Sequence, residues 1–144
     1  MSILTIEQLT SNSDVAPFWR AVQERRFLVQ LCSDCERTRF GPRVVCTFCG
    51  SMRSEWRQDE GLGTVYSMTT IHRAVYEDGP PRPYEVAIAE MDAGTTFLAR
   101  GATGVGFAVG DRVQISFEDD GGLVLPVFTL VEPATESRAS AAGV

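Results

Sequence analysis

The cysteines are the feature of this sequence that most restricts its fold, because they occur as two identical C-x-x-C pairs. The stretch "LCSDCERTRFGPRVVCTFCG" runs from Leu31 to Gly50, and the chain has no other cysteine. Each pair puts two thiolates on one tight turn, so both pairs can converge on one ion in tetrahedral S4 geometry, which suits Zn²⁺. Since protein fills all four positions, we predict one structural zinc per chain, held by Cys32, Cys35, Cys46 and Cys49.

Two alternatives to zinc follow from the same residues. A pair of disulfides, or free thiols, would account for the cysteines in an oxidising compartment. The start "MSILTIEQLTSNSD" lacks the charged and apolar regions of a secretory signal, so we expect a cytoplasmic protein, where this spacing favours a metal. Iron in a rubredoxin-like site is chemically allowed, but Glu36 follows the first pair where Gly50 follows the second, which weakens that reading.

Composition and charge limit the class of protein. The chain has 144 residues, 44% hydrophobic and 22% charged, which is typical of a compact globular protein. No apolar run reaches the roughly 20 residues that span a bilayer, so we expect no membrane association. The net charge of −6 comes entirely from residues 61–144, since residues 1–60 carry eight Arg and eight acids.

A helix is predicted before the cysteines, over about Asp14 to Arg25. Apolar residues recur there at helical spacing, Asp14 is a candidate N-cap, and Pro17 falls in the first turn. The apolar face carries Phe18 and Trp19. These two aromatic residues either pack in the core or form a docking face for another protein.

The cysteine region, 27–60, is predicted to form two hairpin-like arms, because "RFLVQL" leads into the first pair and "PRVV" into the second. Residues 61–131 contain five apolar or alternating runs: "GTVYSMTTIH", "YEVAIAEM", "TTFLAR", "DRVQISF" and "LVLPVFTLV". Five short strands with glycine-rich corners favour a small closed barrel of the OB-fold type. The predicted fold class is therefore mainly β, with an N-terminal helix, a rubredoxin-like zinc ribbon and a five-stranded OB-fold barrel.

These patterns divide the chain into four segments. They are a helical segment at 1–26, a zinc ribbon at 27–60, an OB-fold barrel at 61–131 and a flexible tail at 132–144, which lacks aromatics and periodicity.

No catalytic residue is predicted. The single histidine, His72, ends a predicted strand and has no second histidine or free cysteine as a catalytic partner. The acids of "FEDDGG", Glu118 to Asp120, are read as a solvated hairpin turn beside two glycines. No phosphate-binding G-x-x-x-x-G-K-[ST] motif is present.

The order of helix, zinc ribbon and barrel resembles a known family over roughly residues 14–131. The matching stretches are "PFWRAVQERRFLVQLCSDC", "RFGPRVVCTFCGS", "GLGTVYSMTTIHR", "PYEVAIAEMDAG", "VGDRV" and "LPVFTLVE". They are similar to the acyl-CoA-associated OB-fold family with an N-terminal rubredoxin-like zinc ribbon, long labelled domain of unknown function 35.

The resemblance implies an accessory subunit of thiolase-like enzymes, which include condensing enzymes, acyltransferases and aldolases of steroid side-chain breakdown. In such complexes the thiolase-fold subunit carries the catalytic residues. The zinc-ribbon subunit supports it, can line the substrate entrance and contributes to coenzyme A binding. The four cysteines carry over as metal ligands, and no catalytic residue carries over.

Two sets of contacts to a partner or to acyl-CoA are predicted besides Phe18 and Trp19. Arg37, Arg39 and Arg43 lie between the two cysteine pairs, where they either face a partner or CoA phosphates, or form a solvated loop. Val75 and Tyr76 lie in "AVYEDGPPRP", which three prolines stiffen between two strands.

Two functions remain open from the sequence. The first is a non-catalytic subunit in a hetero-oligomer with a thiolase-fold enzyme of lipid or steroid metabolism. The second is a free-standing OB-fold module for acyl-CoA or single-stranded nucleic acid. The acidic barrel segment argues against nucleic acid, because proteins that follow a phosphate backbone present a basic groove.

Overall fold

The structure is a computed structural model that describes residues 4–73 and 79–131. The helices are α1 (Ile6–Leu9) and α2 (Ala16–Gln23). The strands are β1 (Leu28–Cys32), β2 (Thr38–Arg39), β3 (Ser54–Gln58), β4 (Leu62–Ile71), β5 (Tyr84–Met91), β6 (Thr96–Arg100), β7 (Arg112–Asp120) and β8 (Leu123–Leu130). Neither helix of the described part has the length or the apolar content to cross a bilayer.

Helix α2 confirms the predicted helix, with shorter bounds. Its N-cap is Val15, which makes no side-chain capping bond, so the prediction of Asp14 as N-cap was wrong. Asp14 instead donates its backbone N–H to the Asn12 side chain in the preceding turn. The short helix α1 was not predicted, although Thr5 and Gln8 form a capping box at its start.

The three-stranded ribbon sheet has the order β2-β1-β3, and all its pairs are antiparallel. Strand β1 is buried along its whole length. The prediction that "PRVV" forms an arm was wrong, because residues 42–45 contain no strand. The outer strand on the other side of β1 from β2 is β3. It pairs with β1 in continuous register, from Leu28 opposite Gln58 to Cys32 opposite Ser54.

The barrel confirms all five predicted strands. Its order is β6-β5-β4-β7-β8, and every pair is antiparallel. A parallel bridge between Gly101, just after β6, and Phe128 on β8 brings the two outer strands together. The sheet is thus a nearly closed five-stranded barrel, as the OB-fold prediction requires.

The acidic turn was predicted too early in the sequence. Glu118, Asp119 and Asp120 belong to the end of β7, and the turn consists of Gly121 and Gly122, both with positive φ. The Glu118 carboxylate forms a 2.9 Å ion pair with Arg100. Strand pairing with β8 therefore continues through the acids and ends only at the glycines.

One hydrophobic core joins the helix, the ribbon sheet and the barrel. Phe97 of β6 lies at its centre, with ring centroids 4.7 Å from Phe40, 5.2 Å from Phe27, 6.0 Å from Phe128 and 6.4 Å from Phe18. The pairs with Phe40, Phe27 and Phe128 meet edge to face, and such pairs add about 0.5–1.5 kcal/mol each beyond burial. The ribbon is consequently fixed on the barrel by packing as well as by the chain.

Gly61 makes the close passage from the ribbon to the barrel possible. Its φ is +72°, and a Cβ built there would lie 2.7 Å from the Cβ of Ile115. Only glycine combines this backbone conformation with so short an approach.

Candidate metal centre and its surroundings

The four cysteine sulfurs lie within 4.8 Å of one another, although they come from two turns of the chain. The Sγ atoms of Cys32 and Cys49 are 3.6 Å apart, and those of Cys35 and Cys46 are 3.7 Å apart. Tetrahedral zinc with Zn–S bonds of about 2.3 Å requires S···S distances of about 3.8 Å. The donor set therefore fits zinc, and its four protein ligands make the site structural.

Each cysteine pair lies on a knuckle, named here the first knuckle (residues 32–37) and the second knuckle (residues 46–51). In the first, the Glu36 N–H donates to the Cys32 carbonyl at 3.0 Å; in the second, the Gly50 N–H donates to the Cys46 carbonyl at 2.9 Å. Glu36 has φ 60° and Gly50 has φ 76°. The two turns have the same form, and the first places a non-glycine residue in the left-handed region.

Backbone N–H groups of the knuckles point at sulfur. Those of Cys35 and then Asp34 lower the pKa of the Cys32 thiol to about 6. In the second knuckle the Cys49 N–H is the main cause that lowers the pKa of Cys46. These donors favour the thiolate form that binds metal.

Cys49 differs from Cys32 and Cys46 in the direction of its pKa shift. The Ser51 N–H lowers its pKa, but partial desolvation of this exposed residue's thiol and its contacts with the neighbouring sulfurs outweigh that donor and raise the pKa to about 12. Four thiolates at this distance repel one another unless a cation lies between them. Zinc supplies that charge.

The Asp34 side chain connects the two knuckles outside the sulfur cluster. Its carboxylate accepts hydrogen bonds from the hydroxyl of Ser51 and from the guanidinium of Arg53. These bonds, with that of Arg53 foremost, hold the pKa of Asp34 below its usual range. The carboxylate ties the first knuckle to the chain that leaves the second.

The second knuckle and the residues that flank it carry a set of exposed apolar side chains, which we call the knuckle patch. Its members are all large hydrophobic residues of the segment 44–52, with exposed fractions of 46–70%: Val44, Val45, Phe48 and Met52. Large apolar side chains so exposed and so close in sequence are typical of protein contact surfaces.

The three predicted arginine contacts lie in different environments. Arg37 is exposed, with its guanidinium carbon 4.6 Å from the ring centroid of Phe48, and Arg43 is also exposed. Arg39 is only 7% exposed. Arg39 and Arg43 line one cavity between the ribbon sheet and the β5–β6 turn, which does not include Arg37.

The two predicted aromatic contacts on α2 also differ. Phe18 is 3% exposed and packs in the core, so the core-packing interpretation holds for its ring. Trp19 is half-buried and meets Phe18 edge to face at 5.3 Å. Trp19 lines an apolar groove with Leu98 and Leu125 of the barrel.

The remaining predicted positions lie away from the metal centre. His72 is exposed and directly follows β4. Val75 and Tyr76 lie outside the described residues.

The sequence did not identify two polar residues that organise this region. Gln30 is buried within β1, and its Oε1 accepts from Arg39 Nε at 2.9 Å and from the Arg43 backbone N–H at 3.1 Å. The sequence signal for Gln30 was a single polar residue inside the apolar strand "RFLVQL". Thr95, in the β5–β6 turn, is 8% exposed, and nothing in its sequence context marked it.

Fold and site together define a class: a rubredoxin-like zinc ribbon packed on a five-stranded OB-type barrel. Two family models agree with this class. One described as "ChsH2, rubredoxin-like zinc ribbon domain" matches residues 19–53, and one described as "ChsH2, C-terminal OB-fold domain" matches residues 56–118. A solved structure described as "Ltp2-ChsH2(DUF35) aldolase" is 30% identical, with a TM-score of 0.73 over 81% of this chain and 94% of that one. The chain therefore belongs to the ChsH2 family of zinc-ribbon/OB-fold DUF35 proteins.

Two curated relatives add to this comparison. The "Probable enoyl-CoA hydratase alpha subunit" of Thermomonospora curvata is 33% identical over 138 residues, which is 88% of this chain and 40% of that protein. The "DUF35 domain-containing scaffold protein" of Methanocaldococcus jannaschii is 29% identical over 92 residues, which is 62% of this chain and 64% of that protein. The chain thus spans less than two thirds of either relative.

A DUF35-family protein of unknown function from Sulfolobus solfataricus shares the fold. It is 19% identical with a TM-score of 0.51, over 69% of this chain and 74% of that one.

Proposed function

We propose that the protein is a non-catalytic accessory subunit whose zinc-held ribbon docks on a thiolase-fold enzyme acting on acyl-CoA. The partner's reaction would be condensation, acyl transfer or retro-aldol cleavage. The descriptions of two relatives support this class of role, since one names an aldolase with a ChsH2 component and the other names a scaffold protein. Such a complex belongs to a reducing cytosol, where cysteine pairs bind zinc.

The knuckle patch is the observation that carries the proposal. Phe48 is 57% exposed and Met52 is 70% exposed, beside a metal centre that makes their backbone rigid. Aromatic residues and methionine are enriched at protein interfaces, and a rigid mount lowers the entropy lost on binding. An apolar surface on a loop held by the metal suits permanent docking better than solvent contact.

We further propose that the subunit contributes to binding the CoA thioester of its partner. Arg37 and Arg43 are exposed; Arg37 lies over the ring of Phe48, and Arg43 lines one cavity with Arg39. Arginine pairs well with phosphate because its planar fork presents several N–H donors. The docked enzyme and these arginines would then share one ligand.

The docking proposal is tested with the tagged full chain, purified from its native cytosol with identification of what accompanies it. We expect a thiolase-fold protein near equal stoichiometry and about one zinc per chain. The double variant Phe48→Ser with Met52→Ser should keep its zinc and its melting temperature but lose the partner. Val109→Ser is the matched control, because Val109 is 69% exposed on the loop before β7.

A zinc-loaded protein that purifies alone would contradict the proposal and favour the free-standing module. Equal capture by the double variant and by the control would remove the knuckle patch from the interface.

A further inference from the structure

A cavity of about 250 Å³ lies where the ribbon sheet meets the β5–β6 turn of the barrel. We call it the junction cavity. Its polar lining comes from both parts of the molecule: Arg39, Arg43 and Thr47 from the ribbon, and Thr95 and Thr96 from the barrel. A hydrogen bond from the Thr38 hydroxyl to the Ala93 carbonyl joins the two sides.

Arg39 brings a buried positive charge to this cavity. Its Nε donates to Gln30 Oε1 at 2.9 Å and its Nη2 to the Arg43 carbonyl at 3.0 Å, and both acceptors are neutral. Its Nη1 is buried and has no hydrogen-bond partner in the described part of the chain. Burying a charge is costly unless an opposite charge lies beside it, and no ion pair to this guanidinium is present within the described residues.

Thr95 has the same deficit. Its hydroxyl is buried without a partner. Within residues 4–73 and 79–131, Arg39 Nη1 and Thr95 Oγ1 are the only buried side-chain nitrogen or oxygen atoms in this condition. Both residues line the junction cavity, one from each side. Unsatisfied buried polar groups are rare, and both of these belong to residues that line one cavity, although neither atom is exposed at the cavity surface in this structure.

We propose that the junction cavity binds a phosphate group, and that the Arg39 and Thr95 side chains turn toward it so that Nη1 and the hydroxyl donate to its oxygens. A phosphate supplies several acceptor oxygens and the negative charge that Arg39 lacks. Arg43, Thr47 and Thr96 add donors at the exposed rim. Gln30 prepares the site, because its one amide oxygen holds both the Arg39 side chain and the Arg43 backbone.

The phosphate would come either from free inorganic phosphate or from a nucleotide such as the adenosine 3′,5′-bisphosphate part of CoA. The nucleotide source deepens the proposed CoA contribution and rests on it. The cavity itself is formed by this chain alone, so its occupancy is tested without the partner enzyme.

The test is isothermal titration calorimetry of the zinc-loaded full chain with sodium phosphate and with adenosine 3′,5′-bisphosphate, at constant ionic strength set with chloride. We expect saturable binding of at least one of the two. Thr95→Val and Arg39→Gln should each weaken it about tenfold or more, which corresponds to about 1.4 kcal/mol. Arg57→Gln, which removes an exposed ribbon arginine, is the control for charge alone and should leave the affinity unchanged.

Thr95→Val also separates ligand binding from folding. It removes an unpartnered hydroxyl and keeps the shape of the side chain, so its melting temperature without phosphate should equal or exceed that of the native protein. The phosphate-induced rise in melting temperature should be lost in the same variant. Partner capture by Thr95→Val should be unchanged, so failure here is distinguishable from failure of the docking proposal.

Either source supports the site. Similar affinity for both anions identifies inorganic phosphate as sufficient, and bisphosphate binding tighter by about tenfold or more identifies a nucleotide ligand. Absence of saturable binding by the native chain, or undiminished binding by Thr95→Val, would overturn the proposal.

Discussion

The two knuckles bind the same metal with the same turn, but the structure supports them by different means. The first knuckle continues from β1, which is buried, lies between two strands and shares the aromatic core. The second lies in the segment between β2 and β3, and only Cys46 of its residues is buried. Apart from the metal ligands and Ser51, its side chains, including Phe48, face solvent.

The difference shows how a small ribbon can keep a segment with exposed apolar side chains in one conformation. A segment without strands or core side chains cannot fix its own conformation, because few buried contacts offset its conformational entropy. Here the metal takes the place of a core for the second knuckle. The first knuckle transmits that rigidity to the barrel through β1.

Removing zinc with a chelator should produce the largest loss of stability, and it should affect the two knuckles unequally. Structural zinc contributes about 10–16 kcal/mol of apparent binding energy in zinc-finger peptides, which is also folding energy. Hydrogen exchange should show amides of residues 42–52 losing protection first, while β1 and the barrel strands stay protected. Cys49→Ser should reproduce this pattern.

Equal loss of protection in both knuckles after chelation would contradict this division. The first knuckle would then depend on the metal as much as the second.

Truncating one phenylalanine of the core and one of the second knuckle should give the next largest difference in the free energy of unfolding. Phe97→Ala removes a ring that is 5% exposed and packs on four other phenylalanines, and should lower the free energy of unfolding by about 3–5 kcal/mol. Phe48→Ala should change it by less than about 0.5 kcal/mol, because that ring is exposed. Denaturant unfolding of the zinc-loaded variants measures both; a loss above about 2 kcal/mol for Phe48→Ala would show that the second knuckle has a core of its own.

Substitutions at Glu36 and Gly50, which occupy the equivalent positions of the two turns, should give the smallest changes in the free energy of unfolding. Gly50→Ala places a Cβ at φ 76° in open space, so strain alone should cost about 1 kcal/mol. Glu36→Gly relieves the same strain at φ 60° but gives freedom to the unfolded chain, for a net gain of about 0.5 kcal/mol. Opposite signs in chemical denaturation are the expected result, and destabilisation by Glu36→Gly would mean that the Glu36 side chain makes a stabilising contact.

The zinc ligands of the candidate site follow from local sequence, whereas the environments of its arginines do not. The spacing of the cysteines predicted the zinc ligands because C-x-x-C turns are local structures with one compact form. The arginines between them were visible as charges, but burial separated Arg39 from Arg37 and Arg43. That burial arises from packing: Gln30 of β1 accepts a hydrogen bond from Arg39, and Thr95 of the barrel lines the same cavity.

The sequence by itself determined the metal chemistry, the helix α2 and the five barrel strands, because short-range spacing and alternation encode them. Only the tertiary structure decided that the polar segment "SEWRQ" becomes β3, since its pairing with β1 is a long-range contact without an apolar pattern. It likewise decided that Phe18 is in the core, that Phe48 is on the surface, and that Arg39 and Thr95 line one cavity. Burial is a property of the assembled layers, so residues of one type receive different roles only after the ribbon packs on the barrel.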